Sequence, residues 1–283
     1  MSNQILTCID GSIYSASVAD HAAWAAGRLK ASVQLLQVLG RREASSADRS
    51  GRMVAGARRQ LLEQLADLDA ERAKLLRSQA RLDLEEAEAR LRDAGVEDVT
   101  PVLRNGDLLE TLLALEETAA MTVLGKRGEA ADFAQLHLGS NLERILRTAQ
   151  KPVLVASRAF QPITACLVAF DGQQTAIRAV EAMARSPLFQ GLETTLVLAG
   201  DATDAARRSL DAAEKTLTDA GFAAKSVVRP GSPITVIPAE LQETAAGILV
   251  MGAYSHSRLR TLVIGSTTSE MIRACRVPIM VYR

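Results

Sequence analysis

No excess charge of either sign marks this 283-residue chain. Lys+Arg and Asp+Glu are both 33, so there is no global basic field to hold nucleic acid or an anionic membrane. No apolar run approaches the roughly 20 residues that span a bilayer. The opening residues, MSNQILTCIDGS, carry no charged-then-apolar leader and read at once as a strand, so a cytoplasmic protein is expected. Cysteines number three (Cys8, Cys166, Cys275) and lie far apart in apolar surroundings, which suits reduced, buried thiols better than disulfides. With three histidines no metal site is inferred. Catalytic signatures are missing as well: no Gly-x-Ser-x-Gly elbow, no His-Glu-x-x-His, no Gly-x4-Gly-Lys-Ser/Thr, and no Gly-x-Gly-x-x-Gly after the first strand. Aromatics stand at 3%, yet 48% of residues are hydrophobic, an ordinary globular composition.

What the chain does have is a repeat. ILTCIDGSIYSASVADHAAWAA aligns with CLVAFDGQQTAIRAVEAMAR, matching Asp10-Gly11 to Asp171-Gly172 at an offset of 161. Further on, Gly125 matches Gly252 at an offset of 127, a difference of 34 residues that the first half carries as extra chain. Self-similarity over half a chain means duplication of one fold unit, with the joint near Ser157 to Pro162. The expected domains are residues 1–157, with a helical insertion at about 42–94, and residues 162–283. In the first half, strands are read at Gln4 to Ile9, Val33 to Leu39, Val99 to Leu103, Met121 to Leu124 and Pro152 to Ala156. Helices are read at Ser12 to Leu29 and Asp107 to Thr118. The second half repeats the alternation. Strands that are apolar throughout and alternate with helices make a parallel sheet covered on both faces, with ligands at the carboxyl ends of the strands.

The inserted segment has neither Gly nor Pro from Ala57 to Ala94, and Leu61, Leu68, Leu75 and Leu82 recur every seven residues. One continuous helix there would be about 55 Å long, more than such a domain is wide. It either projects or folds across a neighbour. The readings are an amphipathic helix packed on its own domain or a partner chain, or a partner-recognition coiled coil.

The most informative stretch is MTVLGKRGEAADFAQLHLGSNLERILRTAQKPVLVA, Met121 to Ala156, which returns as Ile248 to Arg283. A strand ends in Gly-x-x-Gly, and a helix then opens at Gly139-Ser140. Glycines permit close backbone approach, and a helix N-terminus offers orphan N–H donors and positive dipole to an anion. Asp10 and Asp171 either accept hydrogen bonds from a ligand or cap the following helix. Lys126 and Arg127, or His256, Arg258 and Arg260, either pair with phosphate or stay solvated. Ser140 and Ser266 are N-cap-like in any case. His21 is read as a packing or surface residue, and His137 lies within a ligand's reach.

This pattern resembles the universal stress protein family, specifically its tandem two-domain members, whose hallmark is Gly-x2-Gly-x9-Gly-Ser/Thr with an Asp ending the first strand. The first half has Gly125, Gly128 and Gly139-Ser140; the second has Gly252, Ser255 and Gly265-Ser266. The resemblance implies an α/β fold of two tandem doubly wound parallel five-stranded sheets, adenine nucleotide alpha hydrolase-like. These would form an intramolecular pseudo-dimer through the last strands, Val153 to Ala156 and Ile279 to Tyr282. It further implies ATP or another adenine nucleotide as ligand, with Mg as a companion ion. By position it implicates Asp10, Val38, Gly125, Lys126, Arg127, Gly128, Gly139, Ser140 and Asn141. In the second half it implicates Asp171, Leu198, Gly252, Ser255, Gly265, Ser266 and Thr267. The first loop has ten residues, Glu129 to Leu138, where the family has nine, and the second has Ser255 for glycine. A bulged loop residue can turn away whereas a side chain in the cradle stays, so the first half ranks ahead.

Three functions follow as expectations. The first is a stress-response sensor or regulator that binds adenine nucleotide and is at most a weak ATPase. Related nucleotide-transferring folds use His-x-Gly-His, and His137-Leu-Gly-Ser lacks the second histidine. The second is an interaction protein that binds no nucleotide and uses the long helix as its partner surface. The third, a phosphorylatable receiver with Asp10 at a strand end, ranks low: Val99 to Arg104 runs into Arg-Asn-Gly where a phospho-acceptor Asp belongs. Adenine nucleotide, unnamed protein partners and a homodimer are the expected associations, with no nucleic acid and no membrane.

Overall fold

The computed structural model describes residues 3–40, 55–126, 140–201, 203–252 and 266–283. The first half runs β1 (Gln4–Ile9), α1 (Ser15–Leu29), β2 (Ser32–Leu39), α2 (Ala55–Asp93), β3 (Val99–Asn105), α3 (Leu108–Glu116), β4 (Met121–Gly125), α4 (Ser140–Thr148) and β5 (Val153–Ala156). The second runs β6 (Ala165–Ala169), α5 (Gln174–Arg185), β7 (Glu193–Ala199), α6 (Asp204–Asp219), β8 (Ala224–Arg229), α7 (Pro233–Glu243), β9 (Ile248–Gly252), α8 (Ser266–Ala274) and β10 (Ile279–Tyr282). A 3₁₀ turn at Pro187–Phe189 precedes β7.

The strands form one ten-stranded sheet in the order β3-β2-β1-β4-β5-β10-β9-β6-β7-β8. Each half repeats the same doubly wound parallel order, and the halves join where β5 and β10 run antiparallel, Met280 opposite Leu154. The expected pairing of the last strands therefore produces a continuous sheet. Both strands are buried along their whole length, because each would otherwise be an apolar edge open to unwanted pairing. The outer edges, β3 and β8, are blunted instead: β3 is half exposed and carries Pro101, and β8 carries Lys225 and Arg229.

Two apolar layers cover the sheet. On one face α1, α2, α5 and α6 pack over Ile5, Val33, Leu154, Val168 and Met280. On the other, α3, α4, α7 and α8 pack over Leu6, Leu36, Val153, Leu167 and Ile279. The alternation of odd and even positions between the layers is the period-2 signature of strands buried on both sides.

Helix α2 is continuous, as the absence of Gly and Pro predicted, and its 39 residues make it about 58 Å long. Among the described side chains its last turns join the domain: Ala80, Leu84, Ala87 and Leu91 are buried against α1, β2 and β3. These four follow the i, i+4, i+7 and i+11 spacing of one helical face. From Glu63 to Gln79 every side chain is exposed, so the helix projects.

Candidate functional site: the carboxyl edge of the sheet

In each half the first strand lies between the second and the fourth, so the chain leaves β1 and β6 at a switch point where the sheet's winding reverses. Ligand crevices of open α/β sheets form there, outside the carboxyl ends of the strands. Ile9 pairs with Gln37, and Cys8 pairs with Leu124. This places Asp10 level with Val38, one step beyond Gly125. In the second half Ala169 pairs with both Val197 and Met251, bringing Asp171, the end of β7 and Gly252 together in the same way.

Register corrects one expected correspondence. The counterpart of Val38 is Ala199, not Leu198, because the pairing sets Asp171 level with Ala199. Val38 and Ala199 both pack toward the α3, α4, α7, α8 layer. Leu198 is buried in the opposite layer, since a shift of one residue along a strand changes its face. The counterpart of Leu198 is Gln37.

A second correction concerns the aspartates. Asp10 Oδ1 accepts the Ser12 N–H at 3.1 Å and Asp171 Oδ1 accepts the Gln173 N–H at 2.9 Å. Each thereby closes a turn at a left-handed glycine, Gly11 at φ +73 and Gly172 at φ +72. Helix α1 opens later, at Ser15, after Tyr14, and α5 opens at Gln174, after Gln173; neither has a side-chain cap. The aspartates shape the turn rather than cap the helix, and both are exposed.

The turn in the first half has a wall that motif reading missed. Asp83 of α2 lies over Gly11, so close that a Cβ there would sit 2.4 Å from Asp83 Oδ2. The carboxylate is held by Gln37 Nε2 at 3.1 Å and Gln79 Nε2 at 2.8 Å. Gln37 is 5% exposed, and its Oε1 has no hydrogen-bond partner among the described residues. Beside this turn a cleft of about 220 Å³ opens between α1 and α2, walled by Asp83, Glu86 and Arg90. The second half differs: Ser209 of α6 stands 4.0 Å from the Cβ position of Gly172.

Gly252 has a packing reason to be glycine. A Cβ on it would come 2.7 Å from the Ala176 nitrogen and from the Thr175 carbonyl carbon, so the end of β9 abuts the first turn of α5. The described parts of helices α4 and α8 begin at Ser140 and Ser266. Asn141 is exposed. Arg127, Gly128 and Gly139, and Ser255 and Gly265, lie outside the described residues, as do His137, His256, Arg258 and Arg260; the side chains of Ser140, Ser266 and Thr267 do too.

Lys126, just past the end of β4, reaches across to the second half. Its Nζ donates to the Cys275 carbonyl at the end of α8, crossing between the halves to the negative end of a helix dipole. Asp107, at the same sheet edge, accepts the Glu110 N–H at 3.1 Å as the cap of α3 and takes Arg144 of α4 at 3.2 Å. The Glu110 N–H first, and Arg144 after it, hold its carboxyl below the usual range. The Asp-x-x-Glu spacing of Asp107 and Glu110 is a capping-box signal visible in sequence.

The family model for the universal stress protein family matches residues 1–157 and 186–283. The chain belongs to the universal stress protein family. It is 37% identical to universal stress protein Slr1230 of Synechocystis over 284 residues, covering 99% of both chains. The solved structure of a universal stress protein from Archaeoglobus fulgidus covers 99% of this chain and 98% of its own, with a TM-score of 0.71 and 20% identity. A functionally unknown protein, PA1789, from Pseudomonas aeruginosa covers 99% and 92%, at a TM-score of 0.62 and 20% identity. These two likenesses concern the fold.

In this universal stress protein the halves are also tied along the α1 face. Arg28 donates to the carbonyls of Leu188 and Gln190. His21, read from sequence as a packing or surface residue, is fully buried. Its Nδ1 lies 2.6 Å from the Ser17 carbonyl, so Nδ1 carries the proton there, and Phe160 of the linker packs edge-on at 5.0 Å. The Ser17 hydroxyl donates to the Ser157 carbonyl at 2.8 Å. All three cysteines are free and buried, as expected. Burial pushes the Cys8 thiol up to about 12 and Cys275 to about 11, and raises Cys166 as well. Among the described residues no helix is long and apolar enough to cross a membrane, and no three His, Cys, Asp or Glu side chains gather as a metal cluster.

Proposed function

We propose that this universal stress protein binds an adenine nucleotide, ATP in the first instance, as a sensor or regulator whose conformation or partners follow occupancy. Residues 1–157 and 162–283 act as its two nucleotide-binding units. The observation that carries the reading is the switch-point crevice, built twice. In each half an Asp-Gly turn and a glycine-ended strand meet at the carboxyl edge, and a short helix opens after the loop that follows. Asp10, with Asp83 beside it, is an acceptor-rich wall suited to the amino and hydroxyl groups of a nucleoside. Two carboxylates there repel phosphate, which orients the phosphates toward Gly125, Gly128, Gly139 and Ser140 at the α4 end. The buried Gln37 Oε1 leaves one further acceptor at that wall. In the second half Asp171, Ala199, Gly252, Gly265 and Ser266 take the corresponding roles. A magnesium ion would arrive with the phosphates, which supply most of its ligands.

Other universal stress proteins have been solved with cAMP and, from Archaeoglobus fulgidus, with dAMP; their TM-scores to this chain are 0.38 and 0.35. The assignment here rests on the crevice. Its test is denaturing extraction of freshly purified protein with mass spectrometry of the released small molecules, followed by thermal shift with added ATP. Adenine nucleotide near one or two equivalents is expected. ATP at a hundredfold excess over its Kd should stabilise by about 2.7 kcal/mol, and Gly139→Val and Gly265→Val should each remove one site. An empty extract together with an unmoved melting temperature overturns the reading.

A further inference from the structure

The projecting part of α2 presents an apolar stripe that its own domain does not cover. Leu61, Leu65, Leu68, Leu75, Leu76 and Leu82 are between 38% and 64% exposed. The face that packs on the domain, Ala80, Leu84, Ala87 and Leu91, lies about 100° further round the helix. One helix thus carries two apolar faces, and among the described residues only one has a partner within the chain. A leucine stripe of this size in water marks an interaction surface.

The spacing of the stripe identifies the partner. Reversed about Glu71, the six leucines fall almost onto themselves: Leu61 reaches the level of Leu82, Leu65 of Leu76 and Leu68 of Leu75. The edges match too, because Leu68, Leu75 and Leu82 drift along one edge of the stripe while Leu65 and Leu76 line the other. A two-fold axis perpendicular to both helices brings each edge against the same edge of the partner, as an isologous contact requires.

Charge agrees with this orientation. Asp69 and Arg72 are exposed and lie on the Leu65–Leu76 edge. Antiparallel pairing sets each Asp69 level with the partner's Arg72, twice over. Parallel pairing brings opposite edges together, which carries Asp69 away from the partner's Arg72 and loses both contacts. We infer that α2 is a self-association helix: two copies of this chain dimerise through an antiparallel pair of their α2 helices, centred near Glu71 and distinct from the β5–β10 junction inside each chain. The inference does not depend on nucleotide binding.

The magnitude sets the kind of dimer. Contact from Leu61 to Leu82 is about 32 Å long on a helix about 10 Å across, a footprint of roughly 300 Å² per chain. Stable interfaces bury about 1,200–2,000 Å² in total, well above what two such footprints supply, so this is a weak, reversible dimer. Sedimentation equilibrium of the full chain from low to several hundred micromolar should show the mass rise from 30.3 kDa toward twice that value. Leu68→Lys with Leu75→Lys should weaken it more than ~100-fold, and Asp69→Arg ~10-fold, with circular dichroism unchanged. Orientation is read by disulfide trapping: Leu61→Cys mixed with Leu82→Cys should cross-link, and Leu61→Cys alone should not. A wild-type chain monomeric throughout, a dimer that survives the double lysine change, or self-linking of Leu61→Cys each overturns the inference.

Discussion

Gly11 and Gly172 occupy the same turn at nearly the same φ, +73 and +72, and this makes them a matched pair for testing what α2 does to the first site. Alanine at either position pays the left-handed strain of about 1–2 kcal/mol. At Gly172 little more is expected, since among the described residues the nearest atom, Ser209 Oγ, is 4.0 Å away. At Gly11 the new methyl would meet Asp83 Oδ2 at 2.4 Å, and the carboxylate must swing away. Swinging breaks its bonds to Gln37 and Gln79, each worth about 0.5–1.5 kcal/mol net. Gly11→Ala should therefore cost about 2–5 kcal/mol against about 1–2 kcal/mol for Gly172→Ala. Urea unfolding midpoints at constant m measure both. In an Asp83→Ala background the cost of Gly11→Ala should fall to that of Gly172→Ala, a coupling of about 1–3 kcal/mol. Equal costs at the two glycines, or no relief from Asp83→Ala, would refute the claim that α2 seals this turn.

Lys126→Met should lower stability by about 0.3–2 kcal/mol, the range for a cation on a helix C-terminus, and leave ATP affinity unchanged; a tenfold loss of affinity would return Lys126 to the phosphates. For His21, burial holds the folded pKa below the ordinary 6.5, so the neutral form is the one that folds. Its contribution is complete above about pH 6.5 and is lost as pH falls through the folded value. The stability gap between wild type and His21→Phe should accordingly shift in favour of the variant on acidification, and a gap constant between pH 8 and pH 5 contradicts this. With the Cys8 and Cys275 thiols raised to about 12 and 11, native protein at pH 8 should react with a thiol reagent only on unfolding. Rapid labelling of folded protein would show that these thiols are open to solvent.

The elements themselves were legible in the sequence because their signals are local. Apolar runs of four to eight residues gave the strands, and a Gly- and Pro-free segment gave α2 as one helix. Where reading failed, the missing information was relational. Leu198 was paired with Val38 because motif position alone does not fix register, and a one-residue slip exchanges the two faces of a strand. Asp10 and Asp171 look like helix caps until the backbone shows each closing a separate turn two residues on. Asp83 gave no motif at all: it reaches Gly11 because Ala80, Leu84, Ala87 and Leu91 fix the rotation of α2.

The sequence by itself determined the repeat, the alternation of strand and helix, and the glycine and aspartate positions at strand ends, since composition and periodicity act within a few residues. It also placed the leucines of α2 at their sevenfold spacing. Tertiary structure alone decided that two five-stranded halves become one sheet, that Lys126 crosses to α8, and that α2 covers the first Asp-Gly turn but leaves the second to Ser209. Those outcomes depend on which faces meet across the chain. Burial of the β5 and β10 edges, and of one face of α2 but not the other, settles that.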